Sequence, residues 1–583
     1  MRFIPFLGRK NKAPLTKYAE LQKEEYRSRR SRHRLAIIIF CFLCVYSVIF
    51  ARLVYFGIEG GQIEEASGPA VQQSAARPDI LDRNGRLLAT DLKTYSLFAE
   101  PRRIIDANET IELISNVLPN LDWQATYRKL KSKSGFAWIQ RGLTPSQREQ
   151  IMALGIPGVG FRTETRRFYP GGPTASHILG MVNVDNQGTA GMEKYIDNAG
   201  LSDLRAAGLA DESSLEPVKL SIDIRVQAIV REELVDAMQK YQAIAAGAVV
   251  INIHTGEVLA MASMPDFDPN NPVDALKKDR LNRMTAGTFE MGSTIKSFTT
   301  AMALDSGKFQ LNSVIDASKP LAAGRGHFIK DFHGKYRPLT TWEVFIFSSN
   351  IGSAKEALTV GIDGHREFLK RMGLLDRMTT ELPEIARPVE PKRWKSVNSM
   401  TIAFGHGMMT TPLQTAVGAS ALMNGGFLIE PTFLKRNEQE AMEHAKRVVA
   451  ERTSQDMRYL YKLNGDIGSG RRAKVEGYRV GGKTGTAEKV ENGKYSKNKR
   501  FNAFLASFPI DNPQYVVLTI IDEPKPEEGK FSATAGLNAA PMVANIIRRS
   551  ATFLGVTPDF KEEYTPVLAA SAGQKLPETT LND

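Results

Sequence analysis

Along Leu220–Tyr241, apolar residues recur at Val226, Ile229, Val230, Leu234 and Met238. That is the spacing of one helix face, and it predicts a helix. The next stretch, AAGAVVINIHTGEVLAMASM, has two apolar runs on either side of His254-Thr255-Gly256-Glu257 and predicts a hairpin. A further helix is predicted from Ser293, carried by Ile295, Phe298 and Met302 and closed by Ser306-Gly307. Near the C-terminus, YRVGGKTGTA, FNAFLASFPI and YVVLTIID predict three successive strands. A hairpin, a helical middle and a terminal meander together predict an α/β domain built on a largely antiparallel sheet.

One apolar run is of a different kind. Leu35–Ala51 (LAIIIFCFLCVYSVIFA) carries no charge, and after Arg52 the run continues to Ile58. With the arginine near one end able to snorkel, 35–58 is long enough to cross a bilayer. Residues 1–34 hold eleven Lys/Arg against Glu20, Glu24 and Glu25, a net +8 of the chain's +12. That basic arm predicts a cytoplasmic N-terminus and places everything after Ile58 outside. The arm is long and no A-x-A site closely follows the run, so an uncleaved anchor is preferred to a signal peptide. Only +4 is left for the remaining residues, so the basic pI is no sign of nucleic-acid binding. Both cysteines, Cys41 and Cys44, lie within the apolar run, which excludes a disulfide scaffold and a Cys-based zinc domain. The expected organisation is a basic arm (1–34), an anchor (35–58), a small-residue linker (59–78), a non-catalytic region (79–215), a catalytic domain (216–562) and a disordered tail (563–583). LADESSLEPV at Leu209–Val218 marks the internal boundary.

Three short motifs carry the candidate chemistry. Ser293-Thr294-Ile295-Lys296 sets a hydroxyl at a helix start, with Lys296 one turn on; a desolvated lysine can take a serine's proton. Ser348-Ser349-Asn350, read as a turn, offers a proton relay and an amide. Lys483-Thr484-Gly485-Thr486, read as a strand, offers a fixed cation and hydroxyls for a carboxylate, with Gly485 allowing a substrate backbone to approach closely. Each alone is weak. A Ser-x-x-Lys is most often a helix cap with a solvated lysine, and the pattern recurs at Ser496–Lys499; Ser-x-Asn recurs at Ser396 and Ser496. In this order, on a helix start, a turn and a strand, they make the Ser-Lys form of nucleophilic catalysis. Two competing readings fail. Gly477–Thr484 fits G-x-x-x-x-G-K-[ST], but no apolar strand precedes it and no helix-forming segment follows. His327, Asp331 and His333 lack the spacing of a metal-binding helix and read as a surface loop; His406 reads as structural.

The motif set resembles that of penicillin-binding proteins and β-lactamases. ARPDILDRNGRLLATD, RRFYPGGPTASHILGMV and GTAGMEKYID resemble the non-catalytic module of class B penicillin-binding proteins; MTAGTFEMGSTIKSFT, FSSNIG, FGHGMMTTPLQTA and GYRVGGKTGTAEKV resemble their transpeptidase core. The chain most resembles the division-specific, FtsI-type transpeptidases rather than the elongation type. It departs in having Met291 and Ser297 where many relatives have proline. The resemblance implies a mainly antiparallel five-stranded sheet with helices on both sides, preceded by an elongated α+β pedestal and one transmembrane helix.

It also implies roles: Ser293 as nucleophile, Lys296 as general base, Ser348 as proton relay, Asn350 on the substrate amide, and Lys483 tuning Lys296 and holding the substrate carboxylate. Thr484, Gly485 and Thr486 would bind substrate, and the backbone N–H groups of Ser293 and Thr486 would form an oxyanion hole. No metal or organic cofactor is implied. The implied partners are peptidoglycan stem peptides, β-lactams, the bacterial inner membrane, an FtsW-type glycosyltransferase and other divisome proteins, with the catalytic domain periplasmic at the septum. A β-lactamase, a penicillin sensor or a divisome scaffold with secondary catalysis are the alternatives that the same motifs allow. Asp82, Arg83, Arg167 and Glu193 of the pedestal read as solvated or in structural ion pairs, not as catalytic.

Overall fold

The computed structural model describes residues 40, 42–51, 77–201, 215–324, 326–491 and 494–561. The chain divides into two units, Met1–Gln73 and Ser74–Asp583. Of the first unit, residues 40 and 42–51 are described and are helical, with Phe42, Tyr46 and Phe50 exposed. Among the described residues no helix is long and apolar enough to cross a membrane. Most of the anchor expected over 35–58, the basic arm, nearly all of the linker, most of the internal boundary and the tail fall outside the described residues.

The second unit begins with a mixed sheet. Strand β1 (Ile80–Leu81) pairs antiparallel with the long β2 (Leu87–Ala99). Helix α1 (Ala107–Val117) follows, its first turn capped by Asp106, which accepts from the Asn108 and Glu109 N–H groups. Strands β3 (Ala137–Leu143) and β4 (Val159–Phe168) both pair antiparallel with β2. Ile111 and Ile114 of α1 close a small core with Leu97, Ile139 and Leu143. A short β5 (Val218–Lys219) pairs parallel with β1 and ties this region to the one that follows.

Helix α2 (Ile224–Lys240) buries Val226, Ile229, Val230 and Leu234, the face that the spacing predicts. The predicted hairpin is β6 (Ala245–Asn252) and β7 (Val258–Met264), turning through Gly256 at φ 70°. Helices α3 (Lys296–Asp305), α4 (Asn350–Val360), α5 (Pro412–Met423) and α6 (Glu451–Asp466) make up the helical middle. Strands β8 (Gly481–Glu491), β9 (Lys494–Phe508) and β10 (Tyr515–Asp522) precede α7 (Ala539–Ser550). The five strands form one antiparallel sheet in the order β8-β9-β10-β6-β7.

Alternation along β10 shows how the sheet is sandwiched. Val516, Leu518 and Ile520 pack into one core with Phe298 of α3, Leu413 of α5 and Leu460 of α6. Val517 and Ile521 pack into another with Val230 of α2 and Val543 and Ile547 of α7. Helices therefore cover both faces, and β8 is left as an edge strand beside the helical middle.

Three local expectations change. Ser293 lies in a tight 3-10 turn, Gly292–Ile295, and the α-helix proper begins at Lys296. The first C-terminal strand starts at Gly481, past Tyr478-Arg479-Val480, and extends with its partner through the polar stretch up to Glu491 and Lys494. That ribbon is held by the cross-strand ladder and by ion pairs such as Lys499–Glu491 at 2.8 Å, so it needs no apolar face. Asn350 is the first residue of α4, so only the two serines belong to the turn.

Candidate active site

Ser293 owes its position to glycines. Gly292 is at φ 53°, a left-handed conformation that turns the chain sharply before the helix. A Cβ at Gly485 would stand 2.5 Å from the Met291 carbonyl and 2.8 Å from Thr294 Cγ2. Gly485 thus lets the edge strand lie directly on the Ser293 turn. The close neighbour of Gly485 is the protein's own turn. Gly405, at φ 93°, brings the FGHG loop in on another side, where a Cβ would lie 1.9 Å from the Gly292 carbonyl oxygen.

Ser348, Lys296 and Lys483 converge on one hydroxyl. Lys296 Nζ donates to Ser348 Oγ at 3.0 Å, to the Ser348 carbonyl at 2.5 Å and to Asn350 Oδ1 at 2.7 Å. Lys483 Nζ donates to the same Ser348 Oγ at 3.0 Å and lies 5.8 Å from the centre of the Phe345 ring. Both lysines are wholly buried. Burial pushes Lys296 well below the ordinary lysine value, and the Lys483 charge pushes it further down. Burial alone holds Lys483 down to about 7. Two amines sharing one hydroxyl are thereby kept from both being charged. All three N–H donors of a charged Lys296 are spent on Ser348 and Asn350, with none left for Ser293.

Ser348 itself is at φ 55°, strained for a residue with a Cβ. The strain is held by the start of α4. Ser349 Oγ accepts from the Gly352 N–H at 2.9 Å and donates to Asp331 Oδ2 at 2.8 Å, while Asp331 Oδ1 accepts from the Ile351 N–H at 2.9 Å. Asp331 belongs to the HFIKDFH stretch read from sequence as a surface loop. It is a positioning residue for the Ser348 turn, and no pattern in the sequence pointed to it. Asn350 has its other amide end engaged too, Nδ2 donating to the Lys330 carbonyl at 3.0 Å. Glu356, six residues along α4, is fully buried, accepts from Thr300 Oγ1 at 3.3 Å and is pushed by burial to about 8. No motif or spacing in the chain marks it either.

On the edge strand, Thr484 Oγ1 shares a hydrogen bond with Ser469 Oγ at 2.8 Å, and Thr486 Oγ1 accepts from the Ala535 N–H at 3.1 Å. The strand continues past Lys483 with no helix, so the G-x-x-x-x-G-K-T spacing does not form a phosphate-binding loop. The competing Ser496–Lys499 match lies on β9 rather than at a helix start. Among the described residues no group of histidine, cysteine and carboxylate side chains is arranged to hold a metal.

Of the charges singled out in the pedestal, Asp82, Arg167 and Glu193 are buried and Arg83 is half-buried. Arg77 and Arg167 both reach Glu193 at 2.7 Å, and Asp197 and Asp91 complete the cluster at 2.9 and 3.1 Å. Asp82 accepts from the Ile224 N–H that opens α2, and Arg83 pairs with Glu257 at 3.3 Å. Asp82 and Arg83 thus join the two regions, while Arg167 and Glu193 stiffen the first from within.

Comparison with known proteins gives the following. Residues 246–548 match the penicillin binding protein transpeptidase domain, and residues 72–202 match the penicillin-binding protein dimerisation domain. The chain is 38% identical over 536 residues to the probable peptidoglycan D,D-transpeptidase FtsI of Caulobacter vibrioides, covering 89% of this chain and 87% of that one. It is 30% identical over 555 residues to the peptidoglycan D,D-transpeptidase FtsI of Escherichia coli, covering 90% and 92%. Among solved structures, a peptidoglycan synthetase from Bifidobacterium adolescentis superposes with a TM-score of 0.63 at 22% identity, covering 85% of this chain and 98% of that one, which supports the fold.

Proposed function

Since the chain belongs to the class B penicillin-binding protein transpeptidases, similar throughout to FtsI, we propose that it is a peptidoglycan D,D-transpeptidase that cross-links stem peptides through an acyl-serine intermediate during cell division. The observation that carries this reading is the single Ser348 hydroxyl accepting from both Lys296 and Lys483 at 3.0 Å, beside the turn that bears Ser293.

The chemistry follows from that geometry. Neutral Lys296 takes the proton of Ser293, whose Oγ attacks the carbonyl of the penultimate D-Ala. The backbone N–H groups of Ser293 and Thr486 receive the developing oxyanion. Ser348, between the two amines, passes a proton to the leaving D-Ala nitrogen. Lys483, Thr484 and Thr486 hold the terminal carboxylate, with Gly485 keeping strand and turn in contact. Asn350 holds the donor amide, exchanging its bond to the Lys330 carbonyl for one to substrate. An amine of a neighbouring stem then attacks the ester. β-Lactams acylate Ser293 by the same route and leave slowly, which makes them covalent inhibitors.

The same reading includes one membrane span over 35–58, the basic arm 1–34 in the cytoplasm, the enzyme in the inner membrane at the septum with its catalytic domain in the periplasm, and pairing with an FtsW-type glycosyltransferase within the divisome. What supports it is the uncharged run after a basic arm and the FtsI similarity. The test is to label membranes carrying wild type or Ser293→Ala with a fluorescent penicillin and follow the covalent band. A lasting band in the wild type, absent from the variant, is expected. A band that decays within minutes would mean hydrolysis rather than transfer, and no band in the wild type would overturn the reading.

A further inference from the structure

The donor half of the site is rich in positive charge, and the second substrate is an amine that is also positive until it loses a proton. The Lys483 charge that pushes Lys296 down would also repel it. A site that accepts such an amine needs an uncompensated negative group near Ser293 but outside the donor pocket.

Glu290 is such a group. It stands three residues before the nucleophile, and only neutral donors reach it. Its Oε1 accepts from the Gly407 N–H at 2.7 Å and from the Tyr495 hydroxyl at 3.4 Å. Among the described residues no lysine, arginine or histidine lies within ion-pair distance of it. The elements that meet there are the turn before Ser293, the FGHG loop and the hairpin beyond Thr486. The loop is pressed onto the Ser293 turn, since a Cβ at Gly405 would overlap the Gly292 carbonyl. His406, on that loop, packs its ring edge-on against Tyr495 at 5.4 Å, and its Nδ1 is buried without a partner. Burial and the nearby Lys296 charge hold that imidazole neutral, so Nδ1 is an acceptor in waiting, or a donor if it carries the hydrogen. Burial raises the Glu290 carboxyl above its ordinary value, toward that of a useful base.

We propose that Glu290, framed by Tyr495 and His406, is the receptor for the acceptor's side-chain ammonium and the base that takes its proton. This rests on the transpeptidase reading above. In the step, R–NH3+ gives one proton to the Glu290 carboxylate. The freed amine attacks the acyl-enzyme carbonyl; the C–N bond forms and the C–Oγ bond of Ser293 breaks. Oγ recovers its proton through Lys296 and Ser348, which take up the proton released by the attacking nitrogen. Glu290 returns its own proton to solvent.

The experiment uses the full chain in detergent with a synthetic stem pentapeptide that ends in D-Ala-D-Ala and carries a free side-chain amine. Cross-linked dimer and hydrolysed tetrapeptide are counted by mass spectrometry, and fluorescent-penicillin acylation is timed in parallel. In Glu290→Gln the ratio of cross-link to hydrolysis is expected to fall about tenfold or more, while acylation changes far less. Hydroxylamine, already neutral at pH 7, is expected to intercept the acyl-enzyme equally well in variant and wild type. Tyr495→Phe, which removes one hydrogen bond to the carboxylate, is expected to lower the same ratio a few-fold. An unchanged ratio in both variants overturns the proposal. So does a parallel fall in acylation, cross-linking and hydroxylamine capture, which would make Glu290 structural. A wild type that neither labels with penicillin nor transfers to hydroxylamine would instead sink the transpeptidase reading itself.

Discussion

Two clusters of buried charged groups are built in opposite ways. In the pedestal, Arg77 and Arg167 share Glu193, and Asp91 and Asp197 close the cluster. Remaining guanidinium N–H groups go to the carbonyls of Asn186, Glu193 and Pro78. In the active site two lysines point at one serine hydroxyl, and among the described residues no carboxylate lies within ion-pair distance of either. The first arrangement satisfies its charges and fixes a shape. The second leaves like charges unresolved, and the relief it allows is loss of a proton, which is what a general base requires. Matched burial serves structure and mismatched burial serves chemistry.

Removing a cation should therefore do different things in the two places. Lys296→Met keeps volume and removes a costly buried amine. Acylation by fluorescent penicillin is expected to fall by about 10^2–10^4-fold, while the melting temperature stays level or rises. Arg167→Met should do the reverse: it strips a partner from the buried Glu193 and Asp91 and should cost about 3–5 kcal/mol of stability. Denaturant unfolding would show that loss, with acylation per folded molecule unchanged. If Arg167→Met left stability intact, or Lys296→Met unfolded the protein, the contrast would be void.

What could be read beforehand follows the same divide. The Ser293–Lys296 helix start, the hairpin turning at Gly256 and the Lys483 strand are local patterns, and local patterns are legible in spacing and apolar period. Arg77 and Glu193 stand 116 residues apart, and no periodicity links them. Asp331 lies between the exposed Lys330 and Phe332 in a stretch with no regular period; only the fold carries it to Ser349 and the Ile351 N–H. Gly485 was legible as a position needing no side chain, but its neighbour was not: the Ser293 turn is brought in by tertiary packing. The hairpin from Glu488 to Arg500 was hidden because its ladder is built from charged residues that carry no apolar alternation.

The mismatched cluster should also be visible as a pH dependence that the matched one lacks. Lys483 is held to about 7 against 10.5 for a free lysine. Above 10.5 it is neutral whether folded or unfolded. Below about 7 it is charged in both states, and the fold bears the full cost of burying that charge. Between these limits the unfolded chain binds the proton and the folded chain does not, so stability rises with pH. Lys296 is shifted in the same direction and adds to the slope. Melting temperatures of wild type and Lys483→Met across neutral to alkaline pH are expected to differ by an amount that shifts in favour of the wild type as pH rises. A flat difference would mean that Lys483 finds a compensating charge.

The smallest expected effect lies where the two kinds of burial meet. Asp331 stands in the catalytic half but behaves like a pedestal carboxylate, with the Ser349 hydroxyl on one oxygen and the Ile351 N–H on the other. Its charge also opposes the fall in the Lys296 pKa. Asp331→Asn keeps the shape and removes the charge, exchanging one acceptor oxygen for an NH2. The lost charged hydrogen bond should cost about 1.5–3 kcal/mol of stability at most. With the opposing charge gone, Lys296 should lose its proton at lower pH, so the acidic limb of the acylation profile should move down while the maximum drops only a few-fold. A drop in rate with no movement of that limb would mean that Asp331 acts only by holding the Ser348 turn. A limb that moves without a change in melting temperature would assign it to electrostatics alone.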